Sequence, residues 1–279
     1  MKSGSIKIFI QEKKGISERI YLSSGSEVNN SIYYEPNSYV PTLPWRKVSK
    51  KEISELIVYE GDKKNRNVVS VIKIPTSLIS IADEIGIKKL KKQSDIEKAF
   101  RKNESKLNIF NTELNLFLKS LEIKKNKTLH GLFVAKPQVF ETVAKLNNHS
   151  RLMGLHIDNT LSSDAFKAHN TPNRVCINFG VEDRYLLFVD KTVKELITLI
   201  SSKIDITEHI KRERLTESFI VRNFFTLFPD YPVIKLRVKA NEAYIAPTDN
   251  AIHDGSLTGK RKADICLVVL GYFSPFKRN

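Results

Sequence analysis

Short apolar runs separated by turn residues dominate the second half of the chain, and they constrain the fold more than any other feature of the sequence. Runs of this length, rich in β-branched and aromatic residues, are typical of strands. Because they are not separated by regularly alternating helices, they favour a β-sandwich or barrel over a series of βαβ units. These runs occupy residues 129–135, 151–157, 174–179, 185–189, 233–238, 243–246 and 264–270.

Helical patterning interrupts the strands in one region. The segments 191–203 and 206–228 both repeat apolar residues at the spacing of an amphipathic helix. We therefore expect one helical insert over residues 191–228. The sequence predicts an α+β protein in which residues 128–279 form a double-stranded β-helix, that is, a jelly-roll or cupin-like core.

The first third of the chain carries a mixture of patterns. Residues 1–50 are predicted to be largely irregular, apart from one strand at 6–10. A β-branched run at 68–74 ends at a proline and predicts a second strand. The strands of this part are therefore expected to be few.

Apolar residues recur at helical spacing over residues 77–123, and Ser94 with Glu97 fits the pattern of a capping box. Residues 1–127 are thus predicted to form a mixed layer of strands and helices. No linker or low-complexity stretch divides the sequence, so we expect a single domain over residues 1–279.

The chain is strongly basic, with 46 Lys and Arg residues against 31 Asp and Glu residues and a net charge of +15. Such an excess is compatible with a nucleic-acid partner. The basic residues are nevertheless spread along the chain, and the densest cluster, IKKLKK at 87–92, lies in the first half. A solvated lysine-rich surface explains this distribution better, and we expect no nucleic-acid partner.

The two cysteines, Cys176 and Cys266, both lie in apolar runs of predicted strand. This indicates buried thiols in a reducing compartment, not a disulfide framework. No apolar run is long enough to cross a membrane, and the start of the sequence lacks the pattern of a secretory signal. We therefore expect a cytoplasmic protein with no membrane partner.

A histidine and an aspartate stand two positions apart at the end of the run RLMGLHID, at His156 and Asp158. If this run ends a strand, both side chains point to the same face, because side chains alternate along a strand. One imidazole and one carboxylate are two of the three ligands of a facial metal triad. The third ligand should then be another histidine on a distant strand.

His253 is the strongest candidate for that third ligand. It follows a short strand and a turn-rich segment, 253 − 156 = 97 residues after His156, which suits a return to the same end of a barrel. Such a ligand set suits non-haem Fe(II) and also accepts Mn, Co or Ni. An H-x-D tripeptide also occurs by chance, in strand and turn residues without a common site. The other histidines are His130, His149, His169 and His209.

Three segments, GLHIDNT, NRVCINFGVEDRYLLFV and AYIAPTDNAIHDG, precede an arginine and a strand. In order and spacing, over roughly residues 128–272, they resemble the Fe(II)/2-oxoglutarate-dependent dioxygenase superfamily. The resemblance implies that His156, Asp158 and His253 bind Fe(II), with 2-oxoglutarate and O₂ as co-substrates. It also implies hydroxylation, or a related desaturation, and not halogenation, because halogenating relatives have Gly or Ala in place of the aspartate. The expected substrate is a small polar molecule, such as a free amino acid or a natural-product intermediate.

The same resemblance implies a basic residue that binds the distal carboxylate of 2-oxoglutarate. Arg261 is the match, at 261 − 253 = 8 positions after His253, with Lys260 and Lys262 as competitors. An arginine suits this role because its planar fork binds a carboxylate through two parallel hydrogen bonds. The family usually places this residue further on, inside the strand, so the match departs from the pattern.

Arg174 is a second candidate for binding a carboxylate. It shares strand parity with Cys176 and Asn178, so these three side chains should lie on one face. If that face is at the barrel mouth, Arg174 binds a carboxylate of the substrate or of 2-oxoglutarate; otherwise it faces solvent. Arg184 is interpreted as a hairpin residue paired with the acidic residues next to it.

Two other classes of function remain open on the sequence. The first is a cupin-like protein that binds metal without oxygenase activity, which predicts metal binding without 2-oxoglutarate turnover. The second is an oxygenase that acts on nucleic acid or protein. It predicts oligonucleotide binding that weakens steeply with salt.

Overall fold

A computed structural model describes residues 4–59, 67–137, 140–145, 150–160, 164–211 and 215–276 of the chain. The strands are β1 (Lys7–Ile10), β2 (Ile20–Leu22), β3 (Ser26–Asn29), β4 (Ser38–Pro41), β5 (Arg46–Lys47), β6 (Val68–Lys73), β7 (Glu122–Ala135), β8 (Asn173–Asn178), β9 (Arg184–Thr192), β10 (Ile234–Val238), β11 (Glu242–Ala246), β12 (Ala251–Ser256) and β13 (Asp264–Phe273). The α-helices are α1 (Lys50–Leu56), α2 (Thr76–Ile85), α3 (Asp95–Lys102), α4 (Glu104–Lys119), α5 (Val193–Ser201), α6 (Thr207–Lys211) and α7 (Glu217–Leu227).

Two large sheets pack against each other. One has six strands in the order β1-β6-β11-β8-β13-β7, and the other has five in the order β12-β9-β10-β2-β5. A separate ribbon pairs β3 with β4. Strands β1 and β6 are parallel, and the other neighbouring strands are antiparallel. Apolar side chains of both sheets, among them Cys176, Leu186 and Phe188, form one buried cluster between them.

The outer face of each sheet is covered by helices. Val175 and Ile177 of β8 pack in a cluster with residues of α2 and α4, such as Leu78 and Phe110. Leu187 of β9 packs with residues of α5 and α7 on the other side of the molecule. Because alternate residues of β8 serve two different cores, the predicted parity of this strand is confirmed.

The helical predictions for residues 77–123 and 191–228 are confirmed by α2 to α4 and by α5 to α7. The predicted capping box is wrong, because the Ser94 hydroxyl makes no capping hydrogen bond. The side chain of the next residue binds the segment before the helix instead. One Asp95 carboxylate oxygen accepts the backbone N–H groups of Lys91 and Lys92 at 3.0 and 3.1 Å. No helix among the described residues combines the length and the hydrophobicity needed to cross a bilayer.

The prediction for residues 1–50 is wrong in part. Four further strands, β2 to β5, lie there, and β2 and β5 belong to the five-stranded sheet. Each is only two to four residues long, which is too short to show a clear alternation in the sequence. The first third therefore contributes strands to both sheets, and β7 runs across the boundary expected at residue 127.

A glutamine side chain lies along the outer edge of β7. The Nε2 atom of Gln93 donates to the carbonyl oxygen of Leu132 at 3.0 Å, and its Oε1 atom accepts from the backbone N–H of Val134 at 2.8 Å. The amide group thus binds β7 as a peptide group of a neighbouring strand would.

A buried ion pair joins the two sheets. Arg19 directly precedes β2 of the five-stranded sheet, and Glu242 begins β11 of the six-stranded sheet. The guanidinium donates two hydrogen bonds to the Glu242 carboxylate, at 3.0 and 2.8 Å, and a third to Glu12 at 2.8 Å. Arg19 is 1% exposed and Glu242 4%, so neither charge can be solvated if its partner is lost.

Glu242→Gln should lower the free energy of unfolding by about 3 kcal/mol, because it leaves a buried arginine charge only partly compensated. Urea denaturation measures this loss. The matched control is Glu97→Gln, which breaks the exposed pair with Arg101 and should cost about 0.5 kcal/mol or less. If both variants lost the same free energy of unfolding, the Arg19–Glu242 ion pair would not stabilise the packing of the two sheets.

Candidate metal centre

His156 and His253 are held together by their backbones. The N–H of His156 donates to the carbonyl of His253 at 3.0 Å, and the N–H of His253 donates back at 2.7 Å. This reciprocal pair places the ring centroids 4.6 Å apart. Two residues that are 97 positions apart in sequence (253 − 156) therefore lie side by side at the edge of β12.

The strand predicted over residues 151–157 is wrong, since only Leu152 and His156 form isolated bridges there. Gly154 explains the interruption. Its φ of +74° lies in the left-handed region, and a Cβ atom at this position would lie 2.5 Å from the carbonyl oxygen of Tyr39. The chain turns at Gly154 and then makes a single bridge at His156. His253 follows the strand β11 and the turn at residues 248–250 as expected, and it lies within β12, a strand that was not predicted.

Asp158 completes the predicted group. Its Oδ1 lies 3.5 Å from Nε2 of His156, and its Oδ2 lies 3.5 Å from Nε2 of His253. One ligand atom from each of the three residues lies within 4.8 Å of the others, and the part of the chain that the structure describes contains no other group of three or more such residues. His149 lies outside the described residues.

Both imidazoles are oriented by their Nδ1 atoms. Nδ1 of His156 lies 2.9 Å from the carbonyl oxygen of Gly154, and Nδ1 of His253 lies 3.2 Å from that of Ala251. A carbonyl only accepts, so Nδ1 carries a hydrogen in each ring, and Nε2 is the ring nitrogen that faces Asp158 and is available to an ion when the ring is neutral. This is the tautomer in which a histidine binds a metal through Nε2.

The charged groups of the site shift one another's pKa values. Burial lowers the pKa of His156, but the Asp158 and Asp254 carboxylates outweigh burial and raise that pKa to about 10. Burial raises the pKa of Asp158, yet His253, His156 and Arg174 together hold it well below its ordinary value. A largely buried group that retains its negative charge and faces two imidazoles is suited to a divalent cation.

Asp254 supports the site and was missed in the sequence. Its carboxylate is fully buried, and Oδ1 accepts the backbone N–H groups of Val143, Ala144 and Gly255 at 3.1, 3.1 and 2.6 Å. Its Oδ2 lies 3.7 Å from Nδ1 of His156. The residue thus connects a neighbouring loop to a ligand imidazole. Its position directly after a predicted ligand was the only signal in the sequence.

Arg174 lies at the site, which is one of the two positions that the sequence left open for it. Its Nη2 donates to Oδ2 of Asp158 at 2.6 Å. Cys176 and Asn178, on the same side of β8, are buried. The polar face of β8 therefore starts at the metal ligands, and the predicted binding of a carboxylate by Arg174 remains a prediction.

Arg261 is not brought to the triad. It is exposed, and its backbone N–H donates to the Glu182 carboxylate at 3.0 Å. Glu182 follows the end of β8 that is opposite to Arg174, so a full strand length separates Arg261 from Asp158. Of the competing basic residues, Lys262 is equally exposed, whereas Lys260 is buried and donates to Asp264 at 2.8 Å.

Arg184 contradicts its interpretation as a hairpin residue with local ion pairs. It is 6% exposed, and its Nη1 donates to Sγ of Cys176 at 2.8 Å, with Nη2 3.7 Å from the Asp264 carboxylate. The neighbouring Asp183 pairs with Arg237 instead. The alternation along β9 could have predicted the burial of Arg184, because residue 184 lies on the same face as the inward residues 186 and 188.

The comparisons with known proteins are sparse. No protein-family model matches the sequence, and no curated protein does. Two matching solved structures are of the Kdo hydroxylase KdoO, a non-heme Fe(II) alphaketoglutarate dependent dioxygenase, one with alphaketoglutarate and Fe(III) and one with succinate and Fe(III). Each is 10% identical and covers 74% of this chain and 79% of that chain, with TM-scores of 0.40 and 0.35.

A divalent ion should stabilise the folded protein through the triad. With Co(II) at about 100 times its dissociation constant, we expect the free energy of unfolding to rise by about 2.7 kcal/mol, because only the folded state presents the three ligands. Denaturation with and without Co(II) measures this gain. Asp158→Asn and His253→Ala should abolish it, whereas His169→Ala, at an exposed histidine outside the triad, should retain it. If Co(II) still raised the free energy of unfolding of both triad variants, the ion would bind at a site other than the triad.

Proposed function

We propose that this protein is a non-haem Fe(II)- and 2-oxoglutarate-dependent dioxygenase that hydroxylates a small polar substrate. The observation that carries the proposal is the convergence of His156, Asp158 and His253 within 4.8 Å. Three protein ligands on one side of an ion leave positions for a co-substrate and O₂. The motif resemblance over residues 128–272 supports Fe(II) and 2-oxoglutarate among the metals and co-substrates that this donor set accepts.

The proposed fold follows from the same observations. We propose that the paired sheets are the double-stranded β-helix expected over residues 128–279, within one domain over 1–279. The support is that β8 and β9, one in each sheet, share a common core, and that the triad lies where β12 pairs with the His156 segment. The unpaired thiols of Cys176 and Cys266 support a cytoplasmic location.

Each residue of the triad has a defined task in this proposal. The bound iron would couple the oxidative decarboxylation of 2-oxoglutarate to the hydroxylation of the substrate. His156 and His253 present Nε2 atoms whose direction is fixed by their Nδ1 hydrogen bonds. Asp158 supplies the one negative charge among the ligands, and its carboxylate is held by Arg174.

We further propose that Arg184, and not Arg261, binds the distal carboxylate of 2-oxoglutarate. Gly255 lies two positions beyond His253 on the same face of β12, and a Cβ atom there would lie 3.7 Å from Nη2 of Arg184. Two residues of a strand span roughly 6.6 Å, which matches the length of a five-carbon dicarboxylate. This neighbourhood supports a dicarboxylate that spans from the triad to the Arg184 guanidinium.

The charge balance around Arg184 supports an anion there. Two buried cations, Arg184 and Lys260, face one carboxylate, Asp264. The Nε atom of Arg184 is buried and has no hydrogen-bond partner. A buried positive charge without a counter-ion is costly, and a carboxylate bound by the fork would remove that cost.

Anaerobic addition of Fe(II) and 2-oxoglutarate should give the weak charge-transfer band of this chelate in the visible range, because the triad leaves two adjacent positions for the 2-oxo acid. His156→Ala should abolish the band. Succinate release in the presence of a panel of free amino acids then tests the substrate class. A wild-type protein that binds metal but gives no band would fit the cupin-like alternative, and salt-sensitive oligonucleotide binding would favour a nucleic-acid substrate.

Arg184→Met should weaken 2-oxoglutarate binding by about 100-fold, because it removes a charge-assisted, two-point contact in a buried site. Calorimetric titration of the Mn(II)-loaded protein measures the dissociation constant without turnover. Arg261→Met is the matched control and should change it less than about twofold, since exposed charges contribute little. If Arg261→Met weakened 2-oxoglutarate binding more than Arg184→Met, Arg261 would be the residue that binds the distal carboxylate.

A further inference from the structure

Arg174 is bound to an oxygen atom that also faces the triad. Its Nη2 lies 2.6 Å from Oδ2 of Asp158, and the same oxygen lies 3.5 Å from Nε2 of His253. The Arg174 side chain is 24% exposed, and its Nε atom is buried without a hydrogen-bond partner. A fixed positive charge is therefore in contact with the only carboxylate of the metal-binding group.

This contact changes the charge that an incoming ion meets. With neutral imidazoles, Asp158 supplies one negative charge and Arg174 cancels it. Two further carboxylates lie close to the group. Asp254 lies beside the His156 ring and accepts three backbone N–H groups through one of its oxygens. Asp249, which interacts with Asp158, accepts two hydrogen bonds from Thr160. Arg174 thus makes the site one charge more positive for a divalent ion that binds alone, and added positive charge is poorly stabilised in a largely buried site where water is scarce.

We propose that Arg174 makes metal binding depend on an anionic co-ligand. The guanidinium opposes a divalent cation that binds alone and favours the complex of that cation with a chelating carboxylate, whose charge it attracts. The inference rests on the proposed function, in which the co-ligand is 2-oxoglutarate, but it concerns any small dianion that binds the metal. Arg174 is accordingly a positioning residue that acts on the metal through Asp158 and through its own charge.

A reciprocal effect follows from thermodynamic linkage. If a dianion tightens metal binding by a given factor, the metal tightens binding of the dianion by the same factor. The protein would therefore acquire its metal and its co-substrate together, and it would hold neither firmly alone. Replacing Arg174 by a neutral residue should uncouple the two binding events.

The test is a Co(II) titration at one fixed pH, followed by the visible absorbance of the bound ion, with and without oxalate. Oxalate is a dianion too short to reach Arg184 while it chelates the metal, so the result does not depend on how 2-oxoglutarate is anchored. Affinities are corrected for cobalt oxalate formed in solution. The proteins are the wild type, Arg174→Gln, Arg174→Lys and the charge-matched control Arg261→Gln.

Arg174→Gln should bind Co(II) alone about tenfold more tightly than the wild type, and the tightening by oxalate should fall by about tenfold. Arg174→Lys retains the charge and should stay within about threefold of the wild type in both arms, as should Arg261→Gln. A purely structural role for Arg174 predicts the opposite sign, because loss of a residue that orients a metal ligand weakens metal binding by about 10- to 100-fold.

The outcomes separate the two proposals. If Arg174→Gln binds Co(II) as weakly as the wild type, or more weakly, the coupling by Arg174 is disproved while the oxygenase remains possible. If the coupling is found but 2-oxoglutarate neither binds nor turns over, the oxygenase fails and the coupling stands. A wild-type protein that binds no Co(II) in either arm would overturn both. Urea denaturation without metal verifies that each variant is folded.

Discussion

The functional part of this molecule depends on one pair of backbone hydrogen bonds, which joins His156 to His253. The two residues come from opposite ends of the β-rich half, and nothing in their local sequences requires them to meet. The strand β12 places one of them, and the glycine turn at 154 directs the other onto its edge. Asp158, two residues further on, is then held by its own backbone bond to Thr248. The ligand set is thus a consequence of how one irregular segment joins the edge of a sheet.

Positive charges surround this ligand set, and each compensates a carboxylate or a potential carboxylate. Arg174, which is partly exposed, pairs with Asp158, and Arg184, which is buried, lies with Lys260 and Asp264. The two arginines lie on neighbouring parts of the same interior, joined through Cys176, which follows Arg174 by two residues and contacts Arg184. An elongated dianion that lies between the two would meet a cation at each end. In the proposed function, the basic side chains that bind the co-substrate are therefore internal, and they form only a small part of the net charge of +15.

The sequence predicted the long, strongly patterned elements and failed where the pattern was short or where tertiary contacts decided. The helices and the strand β8 with its two differently facing sides were predicted from period. The residues of the triad were predicted from their spacing together with the family resemblance, although the strand expected around His156 is absent. The strands β2 to β5 are two to four residues long and offer no period to detect. Arg184 looked like a turn residue because acidic neighbours precede it, yet its partner Asp264 lies 264 − 184 = 80 residues away. Asp254 could not be given a role until the loop of Val143 was placed beside it.

The amide of Gln93 that binds the margin of β7 bears on the solubility of the chain. An outermost strand normally offers a row of free backbone groups on which a second molecule can extend the sheet. Between Leu132 and Val134 those groups are already bound by a side chain of the same molecule. A strand from a second molecule could pair with this stretch only after displacing the two hydrogen bonds of Gln93. One uncharged side chain thereby disfavours aggregation through this edge of the sheet.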